Sequence, residues 1–180
     1  MEHSIKIKQV ILSNSKEIVS LEEVKSYLKV DFSEQDEFIE NTIRAAREYA
    51  ETFLSTHLVQ KKFIQNNFGQ NLQSIRIMQT PVIRIEYISI IDTGNKSIKL
   101  TPEEYYFNNF STVSISKLST LYNQVDLSYT VGYEDINLIP APIKIGTMIH
   151  IASIYDRGDL GEAIPQSSLN LYQPYRKRHL

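Results

Sequence analysis

The sequence has 180 residues, of which 42% are hydrophobic and 22% are charged, and these proportions are ordinary for a soluble folded protein. It contains no cysteine, which excludes disulfide bonds, zinc–thiolate sites and thiol nucleophiles. The formal net charge of −2 argues against a protein that grips nucleic acid through its phosphates, because such proteins carry a basic excess. The first residues lack the apolar run of a secretory signal, and no stretch approaches the roughly 18 apolar residues of a membrane span. We therefore expect a soluble protein made in the cytoplasm.

The first zone of the chain, up to about His57, is predicted to be helical. Ser20 and Glu23 have the spacing of a capping box, and apolar residues recur behind them at helical spacing until about Val30. A second, longer helix is predicted to start with Ser33 as its N-cap. Its apolar stripe is formed by Phe38, Ile39, Thr42, Ile43, Ala46, Tyr49, Ala50, Phe53 and Leu54.

Between about Val59 and Val131 the hydrophobic period changes. The stretch from Val125 to Tyr129 alternates apolar and polar residues as a half-buried strand does, and Asp92 to Asn95 has the composition of a turn. We expect five or six short strands here, joined mostly as antiparallel hairpins. No helical pattern separates them, which disfavours a parallel α/β sheet.

The third zone returns to helix after Pro140, since proline suits the first helical turn, where its missing N–H costs nothing. Gly158 is predicted to end this helix. A last short helix is predicted from Leu169 to Gln173, with Ser167 or Ser168 as its cap. The buried face of the longer helix is predicted to comprise Ile145, Met148, Ile149, Ala152 and Tyr155.

These zones predict an α+β fold in which an antiparallel β region is inserted into a helical domain. We expect a single domain over residues 1–180, with its helical part at 18–57 and 138–176 and the β-rich insertion at about 59–131. The apolar content is enough to bury a core without metals or disulfides.

Residues that could carry catalysis are scarce. The histidines at positions 3, 57, 150 and 179 have no partners at metal-ligand spacing, and His150 lies beside an apolar stripe, where a structural role is expected. The six glycines form no phosphate-binding loop, and no serine-hydrolase elbow is present. Acids on the long helix alternate with arginines at i, i+3 and i+4 spacing, which is typical of a solvated face. The sequence therefore predicts no enzyme and no catalytic, cofactor-binding or metal-binding residues.

Aromatic residues are abundant, with 11 tyrosines and seven phenylalanines. Tyr105 to Phe107 is predicted to lie in the core. Tyr172 and Tyr175 are predicted to lie at an interface, because a segment after the last helix has little core left to join and tyrosine is enriched at interfaces. The only dense basic cluster, Arg176 to Arg178, is expected to be a solvated tail.

Three segments carry a resemblance to a known family. The first runs from Val19 to Asp31 and continues into the acid-led helix with Ile43 to Glu51. The second, Leu138 to Lys144, opens the later helix, and the third is Leu169 to Arg176. In their order and spacing, these segments resemble the head–tail connector, or adaptor, proteins of tailed phages, in the branch with a β insertion between the helices.

The resemblance implies a structural protein of the virion neck, assembled in the host cytoplasm, that forms a ring of about a dozen copies below the portal and extends the DNA channel toward the tail. The implied partners are the portal protein, neighbouring copies and other neck or tail-completion proteins. DNA would pass without specific binding, repelled by acids facing the channel, and neither a cofactor nor a membrane is implied. The expected portal or ring contacts are Leu171, Tyr172, Tyr175 and Arg176.

Two other functions stay open from the residues alone. One is a soluble α+β protein-binding module of a bacterial or prophage assembly, which would form a small oligomer without affinity for a portal. The other is a metal-dependent nucleic-acid enzyme, which requires a cluster of carboxylates that the sequence does not convincingly offer.

Overall fold

The computed structural model describes residues 4–10, 16–116, 118–161 and 163–177. Within these ranges the chain has four α-helices and eight β-strands, which confirms the α+β fold class. The chain divides into two compact units. The helical unit comprises Lys16–Val59 and Tyr133–Leu180, and the β unit comprises Met1–Ser15 and Gln60–Gly132. No helix among the described residues is long and apolar enough to cross a membrane.

The helical unit contains four α-helices around one apolar core. The predicted capping box is confirmed, because the Glu23 N–H donates to Ser20 Oγ and the Ser20 N–H donates to the Glu23 carboxylate. The predicted cap at Ser33 is wrong. The N-cap of the long helix is Gln35, and Ser33 instead accepts the Asp36 N–H through its main-chain carbonyl. The helices are α1 Leu21–Leu28, α2 Asp36–Leu54, α3 Ala141–Arg157 and α4 Gln166–Tyr172.

The end of α3 is predicted correctly and its buried face is not. Gly158 adopts a left-handed conformation and ends the helix, as expected. Ile145, however, is 53% exposed, and the buried face is rotated away from it. The helix has no Asp, Glu, Lys or Arg from position 145 to 155, so apolar periodicity does not single out one face. The buried residues are Ile143, Gly146, Thr147, His150, Ile151 and Ile154.

The last helix also starts earlier than predicted. α4 begins at Gln166, directly after Pro165, and neither Ser167 nor Ser168 caps it. Ser168 is fully buried, and its hydroxyl donates to the Gly146 carbonyl of α3 at 2.8 Å. The serine therefore joins two helices instead of starting one.

The β unit contains a five-stranded and a three-stranded sheet, and every strand pair is antiparallel. The strand order is β1-β2-β8-β4-β5 in the larger sheet and β3-β7-β6 in the smaller. The predicted antiparallel pairing in this zone is confirmed. The predicted number of strands and their hairpin connections are not, because the described residues of the zone form seven strands and the long strands β2, β4 and β8 pair across large sequence distances. The strands are β1 Ser4–Val10, β2 Lys61–Phe68, β3 Ser74–Arg76, β4 Val82–Asp92, β5 Ser97–Lys99, β6 Tyr105–Phe107, β7 Thr112–Ile115 and β8 Tyr122–Val131.

The first strand corrects the prediction that the zone before His57 is helical throughout. β1 is an edge strand whose register pairs Ser4 with Phe68 and Val10 with Lys62. Its alternation of isoleucine and lysine has the period of a strand, but the partner lies far away in sequence. The β unit therefore includes residues on both sides of α1 and α2.

A buried ion network stabilises the helical unit. Arg47 is 4% exposed and binds Glu17 at 2.9 Å, Glu51 at 3.0 Å and Glu48 at 3.3 Å. Burial alone would lower the pKa of Arg47, but the hydrogen bond and charge of Glu17, with the charges of Glu51 and Glu48, raise it instead. The guanidinium thus stays charged inside the protein and holds the segment before α1 against α2.

Glu51 extends this network into the main chain. Its second carboxylate oxygen accepts the N–H of Leu58 at 2.8 Å and of Val59 at 3.4 Å. These two residues are the last of this stretch of the helical unit before the chain enters the β unit. One carboxylate therefore fixes both the arginine and the point at which the chain leaves α2.

We predict that Arg47→Ala lowers the free energy of unfolding by about 3–5 kcal/mol, because it breaks the buried ion pair with Glu51 and removes the cation that Glu17 and Glu48 also bind. Equilibrium urea unfolding followed by circular dichroism measures this change. The control is Arg44→Ala, which removes an exposed arginine from the same helix and should change stability by less than about 0.5 kcal/mol. Equal effects of the two substitutions would contradict a special role for the network.

Candidate functional site

The described residues contain no group of three or more His, Asp or Glu side chains placed to hold a metal ion. His150 is fully buried in α3, and its ring centroid lies 5.4 Å from that of Tyr49. His57 follows α2 and is half-buried. The other two histidines, at positions 3 and 179, lie outside the described residues. Exposed apolar surfaces are also candidate sites, because another protein could cover them.

Tyr172 lies in the core of the helical unit and not on its surface. Its side chain is fully buried, and its hydroxyl lies 3.2 Å from the Thr147 hydroxyl. Burial raises the pKa of Tyr172 to about 12, although the hydrogen bond with Thr147 lowers it. The ring sits so close to α3 that a Cβ at Gly146 would lie 2.5 Å from it. The reasoning that this segment has little core to join was wrong, because Gly146 leaves room for the ring.

The residues after Tyr172 pack back onto the end of α2. Arg176 lies over the ring of Phe53, 4.8 Å from the ring centroid. The Lys177 main-chain N–H donates to the Leu54 carbonyl at 3.0 Å, which satisfies one of the acceptors left open where a helix ends. The segment that was expected to be a solvated tail is thus partly a structural cap, and Arg178 lies outside the described residues.

The expected contact residues therefore have different environments. Leu171 is half-buried, Tyr175 is 38% exposed, and Arg176 is exposed while its guanidinium covers Phe53. These three can still meet a partner with part of their surface. Tyr172 has no surface to offer.

A surface that the sequence did not single out lies on the outer side of α3. Leu138, in the turn before the helix, is 66% exposed, and Ile145 is 53% exposed. Ile149 lies one turn after Ile145 and is half-buried, as is Ala152. We call Leu138, Ile145, Ile149 and Ala152 the α3 face. A helix that is apolar around its circumference is normally covered on all sides, so this face is a candidate contact.

The helical unit also contains an apolar groove with a volume of about 350 Å³. It is lined by residues that precede α1, by α1, by α2 and by the turn before α3. The lining includes both acids and cations. The apolar residues that line this groove are Val19, Leu21, Ile43 and Ile136.

The aromatic cluster Tyr105 to Phe107, which was predicted to lie in the core, is only partly buried in the β unit. Tyr105 and Phe107 in β6 are half-buried and pack against the β core, as predicted, whereas Tyr106 between them points outward and is exposed. Successive side chains of a strand point to opposite faces, which explains why Tyr106 is exposed while its two neighbours are half-buried.

Comparison with known proteins gives a family match and a shared fold. The family model described as "Phage gp6-like head-tail connector protein" matches residues 18–98, which include α1, α2, β2, β3 and β4. A chain in the neck of an empty GTA particle computed with C6 symmetry has the same fold, with a TM-score of 0.75, 13% sequence identity and 97% of each chain covered. Over residues 18–98 the chain is similar to the phage head–tail connector family.

Two further solved structures have the same fold as this chain. A chain in the virion of a native gene transfer agent (GTA) particle matches with a TM-score of 0.75 and 14% identity, covering 97% of this chain and 96% of that chain. A chain in the neck of a native GTA particle computed with C12 symmetry matches with a TM-score of 0.65 and 13% identity, covering 97% of each. No curated protein matches this chain. The resemblance to a head–tail connector is confirmed by the family match and by the fold.

We predict that Tyr172→Ala lowers the free energy of unfolding by about 3–5 kcal/mol, as expected for removal of a fully buried aromatic side chain. The matched control is Tyr175→Ala, the same chemical change three residues later, which should cost less than about 1 kcal/mol because that side chain is partly exposed. Urea unfolding measures both. Deletion of the chain from Ser168 onward should destabilise the helical unit for the same reason, and a truncated protein of full stability would contradict the core role of Tyr172.

Proposed function

We propose that this connector forms a closed ring of about a dozen copies below the portal protein of a virion and extends the DNA channel toward the tail. The proposal is supported by the family and by the fold, which is that of chains from necks computed with C6 and C12 symmetry. In this proposal the protein works in the virion neck, after assembly in the host cytoplasm, through its interfaces and without catalysis.

The observation that carries the ring is the exposed α3 face. Ile145 on α3 and Leu138 in the turn before it both leave apolar surface in water. Burying such surface favours association by about 25 cal/mol per Å² removed from water, so a contact in which a neighbouring subunit covers it is stabilised. A ring supplies that neighbour at every position, because each subunit has one partner on each side.

The charge of the helical unit suits a channel through which DNA passes without being bound. This unit has fifteen Asp and Glu residues against ten Lys and Arg residues, a net charge of −5. Several of the acids lie on exposed positions of α2 and the loop before it, among them Glu34, Glu37, Glu40 and Glu48. Acidic surface repels phosphates and keeps a passing duplex from adhering to the wall.

The partners in this proposal are the portal protein, neighbouring copies and other neck or tail-completion proteins. Leu171, Tyr175 and Arg176 are the proposed portal contacts, since Tyr and Arg side chains commonly provide anchors at protein interfaces. Tyr175 and Arg176 combine an exposed ring with a cation, and both follow a segment that Tyr172 anchors in the core. A pull-down on the portal protein measures how much wild-type connector and how much Tyr175→Ala Arg176→Ala variant is bound, and the variant should bind less.

Two rival functions make different predictions. A protein-binding module of another bacterial or prophage assembly would form a small oligomer and would not bind a portal. A metal-dependent nuclease would cleave plasmid DNA in the presence of Mg²⁺ or Mn²⁺. The family and the fold favour the connector over both.

We predict that native mass spectrometry and negative-stain imaging of the purified connector at high concentration show rings, and that Ile145→Asp abolishes them. The charge would have to be buried against an apolar neighbour, which is costly. Because Ile145 is more than half exposed, the monomer should stay folded, as circular dichroism can verify.

The control is Leu121→Asp, which places the same charge on a 65% exposed leucine of the β unit and should leave the rings intact. Rings that persist in Ile145→Asp would rule out the α3 face as a ring contact. A connector that forms only dimers, alone and on a portal, would contradict the ring itself.

A further inference from the structure

The edge strand β1 buries almost nothing within its own chain. Residues 4–9 are all exposed, and only Val10 is half-buried. Ile5 is 46% exposed and Ile7 is 40% exposed, although both belong to a paired strand. β1 hydrogen-bonds to β2 along one edge and ends the strand order of the larger sheet. Exposed isoleucines on an edge strand are apolar surface that another protein can cover, so β1 is a candidate contact.

The two faces of β1 differ in chemistry. Ile5 lies opposite Asn67 and Ile7 lies opposite Gln65, so both isoleucines are on one face of the sheet. Lys6 and Lys8 alternate with them and are on the other face. The strand therefore offers two neighbouring apolar side chains flanked by two cations and no acid.

The helical unit contains a groove of matching character. Val19, Leu21, Ile43 and Ile136 give it apolar walls around about 350 Å³, enough space for branched aliphatic side chains. No described side chain of the unit fills it, although the residues around it are well packed in the core. The groove thus lacks an apolar occupant of the kind that β1 exposes.

The charges around the groove are mixed, with acids in the majority. The lining contains three acids and two cations, which are Glu17, Glu23 and Glu40 and Lys16 and Arg44. Arg47 binds Glu17 and the capping box uses Glu23, so Glu40, exposed in the first half of α2, is the acid most available to a second protein.

The two units as wholes carry opposite charge. The β unit has nine Lys and Arg residues against six Asp and Glu, a net charge of +3, whereas the helical unit carries −5. Two like units of different copies repel each other, and two unlike units attract. The partner that the basic strand fits best on electrostatic grounds is an acidic helical unit.

We infer that β1 of one connector docks on the groove of the helical unit of a second connector, with Ile5 and Ile7 in the groove. The positive charge of Lys6 and Lys8, on the other face of the strand, favours an acidic unit as the partner. This inference rests on the proposed ring, which needs two unlike surfaces on each chain. Contacts between unlike surfaces are heterologous, and they close into rings when the rotation between copies allows.

The absence of cysteine from the chain permits a direct test by disulfide trapping. Ile7→Cys and Leu21→Cys are made as separate variants of the full-length connector, mixed at concentrations at which native mass spectrometry detects oligomers, and oxidised mildly. We expect a covalent dimer that contains one chain of each variant, since a disulfide requires Cα atoms within about 7 Å of each other. A double variant should yield a ladder of covalent oligomers.

The matched control replaces Ile7→Cys with Leu121→Cys, an exposed leucine elsewhere in the β unit, which should give no specific product with Leu21→Cys. Adding Lys6→Glu and Lys8→Glu to the Ile7→Cys chain should reduce the yield several-fold at low salt. This difference should shrink as salt is raised, because exposed charges are screened over about 10 Å at 0.1 M ionic strength.

The possible failures are distinguishable. Rings without the mixed dimer would overturn the β1 contact and leave the proposed ring standing. A double variant that cross-links only within single chains would show that β1 reaches its own groove, and would also overturn the inference. Neither rings nor mixed dimers at any concentration, with or without a portal, would overturn both proposals.

Discussion

The ion network of Arg47 is the constraint on which the helical unit depends, because it joins parts of the chain that no single helix could hold together. Arg47 binds Glu17 before α1, while Glu51 binds Arg47 and the main chain at Leu58 and Val59. A charge at this depth is tolerated only when its partners are fixed, since an unpaired ion there costs several kcal/mol. The network therefore restricts where the chain can leave α2 before the β unit interrupts the helical unit.

Features fixed by neighbouring residues could be predicted from the sequence, and features fixed by distant residues could not. The capping box of Ser20 and Glu23 and the left-handed end of α3 at Gly158 involve only local hydrogen bonds. The burial of Tyr172 depends instead on a glycine in another helix, and β1 depends on a partner strand beyond both α1 and α2. Neither relation leaves a periodic signal within one window of sequence.

The candidate surfaces were missed for a related reason. Aromatic and basic residues drew the prediction to positions 171–176, where Tyr172 and Arg176 largely stabilise their own chain. The α3 face and β1 are aliphatic, and aliphatic residues are normally assigned to a core. Two signals were nevertheless present in the sequence. α3 has no charged residue over three turns, so it has more apolar surface than one core can cover. β1 alternates isoleucine with lysine at the two-residue period of a strand.

The opposite charges of the two units affect which surfaces of two copies attract each other. Contact between the same unit of two copies brings together net charges of like sign, either +3 with +3 or −5 with −5. A head-to-tail arrangement can place a basic unit against an acidic one at every contact, and the attraction is repeated once per subunit. Apolar burial supplies most of the free energy in such contacts, whereas charge decides which surfaces meet. The division of charge along this chain thus favours contacts between unlike units of two copies over contacts between like units.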